Sequence, residues 1–138
     1  MKKRKLKGIN GWLLLFTIFF IIRFIVYSIL TVSIFYSTEK EAVSISNLVL
    51  ISIIMLFIAF FHLYTLFLEF KMKKDFPRWA ILTLWFALIL GNLSTYITNG
   101  INAIIKSPIS LLIEVAIYGT ITEYLIKSER VKNTFTKI

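Results

Sequence analysis

Residues 8–36 constrain this chain more than any other stretch. They are nearly all apolar, with a single charge, Arg23, in the middle. The run exceeds the roughly 20 residues that a helix needs to cross a bilayer. It follows a basic tail carrying Lys2, Lys3, Arg4, Lys5 and Lys7. Positive charge beside a spanning helix holds that end on the cytoplasmic side. The apolar part is too long for the roughly 7–15-residue core of a secretory signal, and no small-x-small cleavage motif follows it. It reads as a retained helix.

Three further apolar blocks follow, so the expectation is four helices at about 9–35, 44–70, 79–98 and 108–126. Ser44, Ser46 and Asn47 open the second with good helix-start residues. Pro77 and Pro108 open the third and fourth, where a missing N–H costs nothing. The joins are the polar turn around 36–41, the basic loop 71–78 and the stretch punctuated by Asn99, Gly100 and Asn102. The tail from Lys127 is polar and basic. The fold class this predicts is an all-α membrane protein, one domain over 1–138 with four transmembrane helices in an up-down-up-down bundle.

Charge tests the arrangement. Hydrophobic residues make up 58% of the chain and charged residues 17%, well below the quarter or so of a soluble domain. With both ends inside, thirteen Lys and Arg lie on the cytoplasmic side and only Lys40 and Lys106 on the other. Trp12 and Trp79 fall at the inner boundary, where indole rings settle. The net charge of +9 is thus an orientation signal, able to attract anionic lipid at the cytoplasmic face. It does not point to nucleic acid, because no soluble domain is left to present it. The absence of Cys excludes disulfides and thiolate metal sites.

The opening Gly8-Ile9-Asn10-Gly11-Trp12-Leu13-Leu14-Leu15 and the closing Tyr124-Leu125-Ile126-Lys127-Ser128-Glu129-Arg130-Val131-Lys132-Asn133-Thr134-Phe135 resemble the two ends of the YdgK-like family. These are small bacterial inner-membrane proteins of uncharacterised function. The resemblance implies a four-helix inner-membrane protein and supplies no catalytic residue.

The few ionisable groups set into the apolar blocks carry what chemistry there is, because such groups in a membrane face protein or water. At 1.5 Å per residue, Arg23 lies about 20 Å from the inner boundary and Glu114 about 9 Å below the outer one. These depths agree, and Asn92 and Tyr96, one helical turn apart, reach the same level. The expected outer polar cluster is Arg23, Asn92, Tyr96 and Glu114, built on an ion pair. A second group near the inner face is His62 with Glu123. Glu69 reads as an interfacial charge near Lys71 and Lys73. Helix 4 holds a tension. Its stripe Ala116, Gly119, Thr120 and Glu123 suits close helix packing, yet Glu114 projects from the opposite face. Either Glu114 snorkels, or the helix bends, or one face meets a second copy.

Phosphate-loop, zinc-helix and nucleophile-elbow motifs are absent. No metal or cofactor is implied, and catalysis is not expected. The leading expectation is a non-enzymatic accessory protein that binds a partner or lipid. The alternative is a small oligomeric transporter or ion pathway using a membrane-embedded carboxylate.

Overall fold

A computed structural model describes residue 9 and residues 11–36, 44–99 and 108–136. The basic amino tail, the turn at 37–41 and the punctuation at 100–102 lie outside the described residues. Within them the chain is helical: α1 (Trp12–Tyr36), α2 (Ile45–Phe70), α3 (Phe76–Asn99), α4 (Pro108–Lys127) and a short α5 (Glu129–Thr134). The first four are long and apolar enough to cross a membrane. A helix is one of the two structures that satisfy every backbone polar group in lipid, which is why blocks of this length and composition fold this way. The protein is an all-α four-helix membrane bundle.

Local signals place the ends. Ser44 caps α2, its hydroxyl accepting from the Asn47 amide. The α2–α3 turn closes through Met72 N to Glu69 O and Lys73 N to Leu68 O, both 2.9 Å. Met72 takes a left-handed φ of 53° to do so. That turn ends at Asp75, so α3 begins at Phe76, three residues earlier than expected, with Pro77 in its first turn.

One end of the bundle gathers the start of α1, the α2–α3 turn and the carboxyl segment; it is called the basic end below. The carboxyl segment corrects the expectation of a merely polar tail. Ser128 caps α5, and Val131 and Phe135 are buried. Phe135 packs on Phe76 with ring centroids 4.3 Å apart. Gly11 explains the close fit of the two termini. It has φ +62°, and a Cβ there would stand 3.3 Å from the Arg130 guanidinium. A side chain at position 11 would therefore be strained by its backbone and crowded by α5.

Two apolar clusters form the interior. The one at the basic end draws on all four long helices and α5, including Leu13, Phe20, Leu66, Leu84, Ile121, Leu125 and Val131. The one towards the opposite end draws on α1, α2 and α3 only, through Tyr27, Ile51, Ile54, Met55, Ile58, Ala59 and Ala87. The buried residues of α4 are Tyr118, Ile121 and Leu125, all in its second half. So α4 is packed near the basic end and parts from the other helices beyond it. Outside, Ile18, Ile22, Ile25, Ile29, Phe57, Phe60 and Phe67 stand exposed. That surface would aggregate in water and suits lipid.

Candidate functional site

The parting of α4 opens a cavity of about 560 Å³ between all four long helices, lined among others by Arg23, Val26, Tyr27, Met55, Gly91, Asn92, Thr95, Ile113 and Glu114. Its size falls in the roughly 300–1,000 Å³ range of small-molecule sites. Val26, Leu30 and Ile113 are among its walls and are also exposed, so it reaches the bundle surface.

Arg23 anchors the cavity. Its Nη2 lies 2.8 Å from Glu114 Oε1, an ion pair joining α1 to α4. Nη1 donates to the Tyr27 hydroxyl at 2.9 Å, and Nη2 also donates to the Tyr118 hydroxyl. The guanidinium sits over three aromatic rings, 5.4 Å from the centroid of Phe19, 5.7 Å from Tyr27 and 5.3 Å from Tyr118. Each ring face is electronegative and attracts the cation. The arrangement follows from helical spacing. Phe19 and Tyr27 lie four residues either side of Arg23 on α1, and Tyr118 lies four beyond Glu114 on α4. Residues i and i+4 share a face.

Of the expected outer cluster, Arg23, Asn92 and Glu114 come together around the cavity. Tyr96 does not: it is exposed and absent from the cavity wall. Asn92 and Tyr96 are one turn apart, yet their side chains diverge enough that only Asn92 reaches inward. The hydroxyls that hold Arg23 belong instead to Tyr27 and Tyr118. Both could have been found from their i+4 relation to the two charges.

His62 and Glu123 are not brought together. His62 is buried, its Nδ1 2.8 Å from Ile58 O, and its ring lies between Phe20 and Tyr27. Glu123 is exposed and pairs with Lys127 at 2.6 Å along α4. Matched depth did not imply a matched face. The tension on α4 resolves the same way. Glu114 turns inward to Arg23, while Ala116, Thr120 and Glu123 face outward.

Glu69 is corrected as well. Its side chain is fully buried, because α2 presents it to α1, where Thr17 Oγ1 donates to Oε1 at 2.6 Å. Oε2 has no hydrogen-bond partner. Further polar pairs join the helices at this level: Thr65 and Thr83 hydroxyls at 2.7 Å, and Trp85 Nε1 donating to Thr122 Oγ1 at 3.3 Å. In lipid such pairs are worth about 1 kcal/mol each and fix helix rotation. No cluster of metal-ligating side chains occurs among the described residues.

No curated protein and no solved structure matches the chain. A family model does, over residues 6–136, which takes in the aromatic cage, the cavity and the carboxyl segment together. The chain belongs to the family described as a protein of unknown function, DUF2569.

Proposed function

We propose that this is a non-enzymatic accessory membrane protein that binds a small amphiphile or lipid in the cavity beside α4. The observation that supports the reading is the cavity's mixed wall. Arg23, Asn92, Thr95, Ser110 and Glu114 give the wall polar groups, and Val26, Leu30, Met55, Ala87 and Ile113 give it apolar ones. A polar head can meet the first while an apolar chain lies along the second. The exposed edge lets such a molecule enter sideways from the bilayer. The YdgK-like resemblance and the thirteen-to-two charge bias support placing the protein in a bacterial inner membrane with both ends cytoplasmic. The transport alternative needs an available carboxylate, and the pairing of Glu114 with Arg23 weighs against it.

The test is native mass spectrometry of the protein released from membranes in mild detergent. A bound amphiphile should be retained by the wild type and lost from Val26→Trp and Ile113→Trp, which fill the exposed edge without entering the core. Retention by both variants at wild-type levels would sink the reading.

A further inference from the structure

A second recess lies on the outside of the bundle. It is an apolar groove of about 560 Å³ between α1 and α4, near the basic end. Among the described residues it shares no wall with the cavity. Phe16 and Tyr124 form its floor, their ring centroids 5.1 Å apart across the two helices, and Ile121 is buried beside them. Leu15 stands exposed on one rim, Ala116 and Thr120 on the other. The Thr120 hydroxyl donates back to Ala116 O at 2.9 Å, so it is satisfied within its own helix. From Trp12 to Phe19 the α1 wall runs about 10 Å along the helix axis.

One end of the groove is charged. Trp12 stands there, and the Arg130 guanidinium lies beside Gly11, its neighbour. On α4 the wall ends at Tyr124, and Lys127 follows three residues on. Ahead of Gly11 the chain carries Lys2, Lys3, Arg4, Lys5 and Lys7. Four peptide links keep Lys7 within about 14 Å of Gly11. Over the whole basic end, thirteen Lys and Arg stand against four acids, Glu69, Asp75, Glu123 and Glu129.

We infer that this groove seats one chain of an anionic phospholipid, whose phosphate-bearing head meets the basic end. The site is separate from the cavity of the proposed function and does not depend on it. Trp and Tyr settle at the level of lipid heads, and basic recesses between membrane helices bind anionic ones. A second copy of the chain suits the groove less well. Inserted the same way round, it would bring its own basic end alongside, and like charges brought together oppose binding. The apolar groove between α2 and α3, walled by Ile53, Phe57 and Phe86, lies midway along its helices and serves as the control.

The test is native mass spectrometry of the full chain released from nanodiscs of phosphatidylcholine and phosphatidylglycerol in equal amounts, with identical acyl chains. One phosphatidylglycerol per chain should be retained about tenfold more readily than phosphatidylcholine, the gain that one or two basic groups at a membrane surface give. Ala116→Phe with Thr120→Phe fills the groove from exposed positions and should abolish the preference. Ile53→Trp should keep it, and so should Val26→Trp and Ile113→Trp, which alter the cavity alone. On the wild type, glycerophosphoglycerol, the same head without chains, should fail to displace the lipid; this measurement holds whether or not the filled variant folds. The inference is overturned if the two lipids are retained equally, if the filled variant keeps the preference, or if the free head displaces the lipid. Loss of the preference in Val26→Trp or Ile113→Trp would overturn it by moving the lipid to the cavity. A dimer that the filled variant alone loses would overturn it in favour of a second copy.

Discussion

Replacing Arg23 and Glu114 singly and together should give unequal losses, and the inequality comes from the cage. At an effective dielectric of about 20, unit charges some 4 Å apart attract by roughly 4 kcal/mol. The Glu114 side chain is 38% exposed and that of Arg23 20%, so screening reduces the pair to about 1–2 kcal/mol. Glu114→Leu removes that much and leaves Arg23 held by two hydroxyls and three rings. Arg23→Leu removes the pair, strands the Tyr27 and Tyr118 hydroxyls at about 1 kcal/mol each, and forfeits the ring contacts. Its loss should be about 4 kcal/mol. The double change should match Arg23→Leu alone, since both delete the same ion pair; the coupling is then about 1–2 kcal/mol. An ion pair by itself would also tolerate a charge swap. The cage does not: Arg23→Glu with Glu114→Arg sets a carboxylate against three electronegative ring faces, and should fold no better than Arg23→Leu. Folded yield by size exclusion and unfolding in mild detergent read the cycle. Strictly additive losses, or Glu114→Leu as damaging as Arg23→Leu, would refute the reasoning.

Three other outcomes are expected. Glu69→Gln should be tolerated, because the amide oxygen still accepts from Thr17, while Glu69→Ala should lower stability by about 1–3 kcal/mol through the lost bond and the space left behind; thermal unfolding in detergent compares them, and equal behaviour would remove Thr17 from the argument. Phe135→Ala should cost about 3 kcal/mol by emptying the seat on Phe76, whereas Lys132→Ala, exposed on the preceding helix α5, should cost almost nothing. Cys placed at Thr38 or Asn102 should label from outside intact cells and Cys at Lys74 should not; labelling at 74 alone would invert the topology.

The number, approximate length and order of the membrane helices are legible in the sequence, and so is the matched height of Arg23 and Glu114. Apolar block length answers the first question, and the fixed rise of 1.5 Å per residue answers the second. Arg23 and Glu114 could therefore be matched across 91 positions of sequence. Depth says nothing of rotation, which is why it groups His62 with Glu123, which the structure does not bring together, and places Tyr96 in the outer polar cluster although its side chain is exposed. In a soluble helix, polarity marks the outward face and would have settled the matter.

Here lipid and protein interior are both apolar, so the outer Ile and Phe residues look like inner ones and the helices carry no clear apolar stripe. Helix number, length and the height of a residue along its helix belong to the sequence itself, since each depends on composition along one axis. Which faces meet belongs to the tertiary structure. It turned Glu69 inward to Thr17 and closed Tyr27, Tyr118 and Phe19 around Arg23. It folded Val131 and Phe135 back beneath the bundle and let α4 stand away from its neighbours. Those arrangements are set by how side chains from four helices fill one another's gaps, and that packing has no signature along a single strand of sequence.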